Sequence, residues 1–357
     1  MKNNYKRHIA VGQAILAAAL FGMSAPFSKL ILKEIPPLLL SSLLYLGAGI
    51  GMLSIDIVRR VADVERHEAR LQKQEMTYVV LMVLLDIAAP ILLMLGLTKT
   101  TSATASLLSN FEIVTTSIIA LVVFKEAVGK RLWISITLIT LSSILLSVED
   151  FGSFSFSLGS VLVLLACLSW GLENNCTRKL SLKDPLQVVI IKGFGSGIGS
   201  LIIAILAKEV LWNTRYILLA LLLGFFAYGL SIFFYVTAQR ELGAARTSTY
   251  YAVAPFIGVG ISFIAFSEPI TSSFALAAIV MVIGTYFAVV EKHSHNHVHK
   301  PMEHEHRHNH SDGHHNHTHP FVVIGEHSHP HEHEELVHAH EHTPDIHHSH
   351  EHFPHSQ

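Results

Sequence analysis

Apolar runs long enough to cross a bilayer recur through the first 292 residues of this 357-residue chain, separated only by short polar breaks. A helix needs about 20 predominantly apolar residues to cross a hydrocarbon core of roughly 30 Å. Such runs lie near residues 9–32, 37–58, 77–97, 101–124, 131–148, 157–176, 186–207, 214–236, 244–266 and 271–290. Lipid offers backbone N–H and C=O groups no partner, so each run is expected to be a helix and not a strand of an open sheet. The expected fold class is all-α integral membrane with ten transmembrane helices. A soluble domain is excluded for this part of the chain.

The runs also repeat one another. Ala103, Ser106, Ile119, Phe124 and Glu126 recur 142 residues later as Ala245, Ser248, Ile261, Phe266 and Glu268. Phe21-Gly22 followed by Ser28-Lys29 matches Trp170-Gly171 followed by Thr177-Arg178. The chain therefore divides into a first repeat (1–150, spans 1–5), a second repeat (151–292, spans 6–10) and a tail (293–357). Five crossings is an odd number, so the repeats face opposite ways. Such inverted five-helix repeats give many secondary transporters two related conformations, one open to each side.

Lys and Arg are distributed unevenly among the loops. With the N-terminus cytoplasmic, Lys2, Lys6, Arg7, Arg59, Arg60, Arg66, Arg70 and Lys73 fall inside, as do the basic residues at 125–131, 178–183, 240 and 246. Only Lys33, Lys99, Lys208 and Arg215 fall outside. This bias predicts a multi-pass protein of the plasma membrane with both termini cytoplasmic. Lys2, Lys6 and Arg7 resemble the charged start of a secretory signal, but the span behind them is longer than a signal core and has a counterpart in span 6. The longest loop, 59–76, mixes Glu65, Arg66, Glu68, Arg70, Lys73 and Glu75 at helical spacing and reads as a solvated helical extension. Two cysteines, Cys167 and Cys176, both in span 6, supply neither a disulfide framework nor a zinc ribbon.

Ten spans in two inverted halves, the Phe124–Glu126 and Phe266–Glu268 endings, alanine-rich helices and Pro255 in span 9 together resemble the EamA branch of the drug/metabolite transporter superfamily. The resemblance covers residues 9–290. It implies a central cavity between the halves and export of small metabolites, often coupled to protons. One departure is that Ile113 stands where the proline of span 9 has its counterpart, which argues against a bend in span 4 and draws attention to the neighbouring Glu112.

An ionisable group within a span costs about 2.5–3.5 kcal/mol on insertion scales, so such groups face a cavity or each other. Asp86 lies near the middle of span 3 and Glu112 near the middle of span 4. The short link 97–101 is expected to make these spans antiparallel neighbours with both carboxylates at similar depth. Either is a candidate for binding a substrate cation or a coupling proton, and the structural alternative is a helix-to-helix hydrogen bond. Glu173 and Lys192 are placed to pair across the mouth on the cytoplasmic side, either contacting substrate or holding two helices together. Lys29, near the outer end of span 1, is placed to snorkel to the interface.

Tyr228 and Tyr235 in span 8, Tyr250 and Tyr251 in span 9, and Tyr45 in span 2 offer ring faces suited to cationic or flat organic cargo. Packing or an interfacial belt is the structural alternative. Gly193, Gly195, Gly197 and Gly199 form an every-second-residue series in span 7, a signature of close helix approach. The chain carries no enzymatic signature: no nucleophile, phosphate loop or cofactor motif stands out, and no cofactor is required.

The tail holds 24 of the 26 histidines. Sixteen of them fall in four blocks, mostly as His-x-His: His293, His295, His297, His299; His304, His306, His308, His310; His314, His315, His317, His319; and His327, His329, His331, His333. Imidazole suits Zn, Ni, Co and Cu, and flexible alternating ligands close several sites without a fixed fold. The tail is accordingly expected to be a disordered metal-binding segment. Histidine's ordinary pKa of about 6.5 also suits a pH sensor. The island Phe321–Ile324 splits it into two blocks.

The expected partners are the lipid bilayer, a small-molecule substrate and transition-metal ions, with no nucleic acid. The favoured function is a proton-coupled exporter of a small organic metabolite whose tail senses or buffers metal. A divalent metal or metal-chelator exporter is the first alternative, and a membrane-anchored metal buffer or sensor the second. The spans hold no histidine and no acidic i, i+4 pair, which weighs against metal as the cargo.

Overall fold

The computed structural model describes residues 2–63, 71, 73–124, 128–150, 155–177, 180, 183–242, 247, 250–268, 270–290, 293–299, 302–308, 327–333 and 336–342. Among these, nine helices are long and apolar enough to cross a membrane, and a tenth, Ala254–Phe266, is a shorter apolar helix. We number them α1 (Lys2–Gly22 and Ser24–Ile31), α2 (Pro37–Val61), α3 (Met76–Lys99), α4 (Ser102–Leu108 and Phe111–Phe124) and α5 (Lys130–Ser147). The second half follows as α6 (Leu158–Thr177), α7 (Pro185–Leu206), α8 (Thr214–Leu242), α9 (Ala254–Phe266) and α10 (Ser272–Val289). Their outward faces are apolar: Val122, Leu206 and Ile264 are more than two-thirds exposed. A helix apolar on its exposed face as well as its packed face is solvated by lipid, not water.

The helices pack across the halves. Ser42 of α2 donates to the Gly197 carbonyl while Gly49 lies against Gly193, so α2 and α7 run antiparallel. Ser142 of α5 donates to the Ala277 carbonyl and Arg131 to that of Val290, so α5 and α10 do the same. In α4 and α9, Ser102 meets Glu268 and Ser106 meets Gly258. These three pairs join each helix to its own repeat counterpart, and every pair is antiparallel. Counterparts that oppose one another are what an inverted repeat requires. α1 packs on α8, and its counterpart α6 packs on α3.

Small residues permit the close approaches. A side chain at Gly193 would strike the Gly49 backbone on α2, and one at Gly199 would strike Ile87 on α3. The alternating glycines of α7 thus serve two neighbours on two faces, with Gly193 and Gly197 toward α2, and Gly195 and Gly199 toward α3.

Three helices are irregular within their length. α1 breaks at Met23, and α8 carries a π-helical turn over Phe225–Leu230. α4 breaks at Ser109 and Asn110 although no proline is present. This corrects the expectation drawn from Ile113. Asn110 Nδ2 donates to the Leu107 carbonyl at 3.1 Å, Ser109 Oγ to that of Ala105 at 3.0 Å, and Thr285 Oγ1 of α10 to Asn110 Oδ1 at 3.3 Å. The Ala105 and Leu107 carbonyls also keep backbone N–H partners, from Ser109 and Asn110, so the polar side chains add a second bond to each. In the second half, Ala252 and Val253 form the matching turn ahead of Pro255.

Between the halves, Val148–Asp150 (β1) pairs with Ser155–Phe156 (β2). The charged loop after α2 is described at Leu71 and in a 3-10 turn at Lys73–Glu75; Glu65, Arg66, Glu68 and Arg70 lie outside the described residues. In the tail, His293–His299 (β3) pairs antiparallel with Leu336–His342 (β6), and Met302–His308 (β4) with His327–His333 (β5).

Candidate functional site

The charged residues of the spans converge between α3, α6 and α7. Lys192 Nζ lies 3.1 Å from Asp86 Oδ2 and 3.1 Å from Glu173 Oε1. The side chains are 11%, 0% and 2% exposed respectively, so the three charges sit in the core and not at a mouth. Tyr45 of α2 donates to Asp86 Oδ1 at 2.9 Å, and Thr177 donates to Glu173. A buried cation shared by two carboxylates is tolerated because each group has a partner; removing one strands the others.

Glu112 stands beside this triad but does not touch Asp86. α6 lies between α3 and α4, contrary to the expectation that the short 97–101 link makes those spans neighbours. The link is a tight turn, but α3 packs on α6 and α7, and α4 packs on α6 and α9. Glu112 Oε1 accepts from Asn174 Nδ2 at 2.6 Å, and the same amide reaches Thr116 Oγ1 at 3.3 Å. Successive residues of α6, Glu173 and Asn174, therefore face the two sides. Asn174 joins the candidate set through this bond, and its only signal in the sequence is its place next to Glu173.

An aromatic row extends from the triad into the second half. Ring centroids are 5.3 Å apart for Tyr45–Tyr228, 6.2 Å for Tyr228–Phe21, 5.8 Å for Phe21–Tyr251 and 4.9 Å for Tyr251–Tyr235. Tyr228 accepts from Ser24 Oγ at 2.9 Å. Tyr250, adjacent in sequence, points elsewhere and packs with Ala10, Ala14, Ala238 and Leu242. It leaves the candidate set, because residues adjacent on a helix face about 100° apart.

A small cavity opens beside this row at the junction of both halves. Its wall includes Phe21 and Ser24 of α1, Leu93 of α3, Ser106 and Ser109 at the α4 break, Trp170 of α6, and Pro255. Ser106 Oγ is buried there and has no hydrogen-bond partner among the described residues. Discontinuous helices around a central polar site are how transporters free backbone groups for cargo without exposing them to lipid.

At the far end of the bundle from the N-terminus, Lys29 Nζ donates to the Leu97 carbonyl and, at 2.8 Å, to that of Thr100. It secures the α3–α4 turn instead of reaching freely to an interface. Of the tail histidines, the backbones of His293, His295, His297, His299, His304, His306, His308, His327, His329, His331 and His333 are described, in registers such as His295 opposite His340 and His304 opposite His331. His310, His314, His315, His317, His319 and the island 321–324 lie outside the described residues.

Three comparisons agree with this architecture. A model of the EamA-like transporter family matches residues 8–148 and again 157–290. A curated relative from Methanothermobacter thermautotrophicus, described as an uncharacterized transporter, is 28% identical over 290 residues, spanning 76% of this chain and 83% of its own. A solved crystal structure covers 78% of this chain and 95% of its own with a TM-score of 0.57 at 15% identity, a likeness of fold alone. With two family matches laid over two opposed halves, this chain belongs to the EamA-like transporter family.

Proposed function

We propose that this transporter is a secondary exporter of a small organic metabolite, driven by protons. The observation that carries the reading is the buried Asp86–Lys192–Glu173 triad, with Glu112 beside it, between two opposed halves. Carboxylates in that position are suited to exchange a proton for cargo, and ring faces next to them suit a flat organic body. In this reading the functional units are residues 1–150 and 151–292, the protein resides in the plasma membrane, and both termini are cytoplasmic, as the Lys and Arg distribution favours.

The tail, 293–357, is read as a binder of Zn, Ni, Co or Cu that buffers or senses metal beside the pore. Histidines set opposite one another in both strand pairs support this. In the pore, the Tyr45 and Tyr228 rings beside Asp86 favour an organic cargo over a metal ion.

The decisive test is transport by the full chain in proteoliposomes, with a pH gradient imposed and a panel of radiolabelled amines, amino acids and carboxylates. Gradient-driven movement of at least one panel member is expected, with loss of gradient dependence in Asp86→Asn or Glu112→Gln. Transport indifferent to the gradient and to both substitutions would refute proton coupling.

A further inference from the structure

The two halves match in shape but not in chemistry. The offset of 149 residues that relates Phe21 to Trp170 also relates Ser24 to Glu173 and Ala25 to Asn174. The offset of 142 that relates Ala103 to Ala245 also relates Leu93 to Tyr235, Ser109 to Tyr251 and, in the reverse direction, Ala254 to Glu112. Packing obeys the same offsets: Gly22 lies against Ile257, and its counterpart Gly171 lies against Thr115, the counterpart of Ile257. Ala25, Leu93, Ser109 and Ala254 of the neutral cavity wall therefore have partners in Asn174, Tyr235, Tyr251 and Glu112, on the side nearer the N-terminus, while Phe21 and Trp170 are each other's counterparts and both line the cavity.

Those four partners carry a carboxylate, an amide and two phenol rings. Ala25 and Ala254 line the open cavity, whereas Asn174 and Glu112 occupy the equivalent places and close on one another at 2.6 Å. Leu93 and Ser109 are replaced by Tyr235 and Tyr251, whose rings stand edge to face. Lys192, the one cation near these carboxylates among the described residues, is engaged by Asp86 and Glu173, while Glu112 takes the Asn174 amide. An inverted pair exchanges the conformations of its halves as it switches sides. The wall that is now shut then takes the open shape of the cavity, with the unpartnered Ser106 hydroxyl marking where the present cavity offers a ligand a polar contact.

We propose that Glu112, Asn174, Tyr235 and Tyr251 form a loading site for an organic cation, an amine on a flat apolar body, which is passed to the neutral cavity on the opposite side. A carboxylate supplies the charge, and two ring faces select an organic cation over a hydrated metal ion. The neutral receiving wall lacks the carboxylate, so the cargo is held more weakly there, which favours its release on that side. The inference deepens the exporter reading, depends on it for direction, and stands apart from it for binding.

Binding of 2-phenylethylamine, phenylalanine and 3-phenylpropionate to the purified full chain in nanodiscs, followed by titration calorimetry without any gradient, tests the site. These probes share one body and differ in charge. The amine is expected to bind at least tenfold tighter than the other two. Glu112→Gln should weaken the amine at least tenfold, and Glu112→Asp should recover most of the loss. Three affinities within threefold of one another, no binding of the amine, or an amine affinity indifferent to Glu112→Gln would each overturn the proposal. Amine binding without gradient-driven transport keeps the site and removes the exporter reading. Transport of another metabolite without amine binding does the reverse.

Discussion

The carboxylate of Glu268, just past the end of α9, accepts the backbone N–H of Ser102, the first residue of α4, at 3.1 Å. Its second oxygen takes the Ala103 N–H at 3.2 Å. A residue of the second half thus caps a helix of the first, where orphan N–H groups and the helix dipole both favour an anion. The glutamate that follows α9 therefore holds one half to the other. Its counterpart Glu126 lies outside the described residues.

Replacing Glu268 by Ala should cost about 1 kcal/mol of stability, the usual loss for a helix cap. Thermal unfolding of the detergent-solubilised protein should show a lowered Tm, and Glu268→Gln, which keeps one acceptor, a smaller drop. Equal Tm values for all three proteins would contradict a capping role.

Lys192→Met should destabilise the fold by about 3–5 kcal/mol, because Asp86 and Glu173 would be left facing each other in the core. Adding Asp86→Asn and Glu173→Gln to that variant should recover most of the stability while transport stays lost. Denaturant or thermal unfolding measures the first effect and proteoliposome flux the second. A triple variant that transports normally would reduce the triad to scaffolding.

Gly193→Ala and Gly12→Ala should differ in sign. A methyl at Gly193 meets the Gly49 backbone and forces α7 from α2, costing roughly 1–3 kcal/mol as overpacking does. Gly12 has open space around it, so alanine there should gain up to about 1 kcal/mol from helix propensity. Paired melting curves decide it, and a neutral Gly193→Ala would contradict the packing described.

Deleting residues 293–357 should abolish tight binding of Ni or Zn, read by equilibrium dialysis and elemental analysis, and leave organic flux through the spans unchanged. Full and shortened chains that hold equal amounts of metal would place the metal chemistry elsewhere.

By itself the sequence determined the helical class, the run of apolar spans, the two-fold repeat and the identity of the intramembrane charges. These follow from local rules: lipid demands about 20 apolar residues per crossing and internal hydrogen bonds, and a charge placed there needs a partner. Tertiary structure alone decided who those partners are. Asp86 and Glu112 belong to consecutive spans, yet α6 comes between them and supplies Glu173 to one side and Asn174 to the other. Tyr251 joins the aromatic row while Tyr250 leaves it, and α4 breaks at Ser109 and Asn110 without a proline. The reason is that helices uniformly apolar in lipid carry little information about which neighbour they meet. Close fit of small residues such as Gly49 and Gly193, together with a few polar contacts, makes that choice, and both depend on residues far apart in the chain.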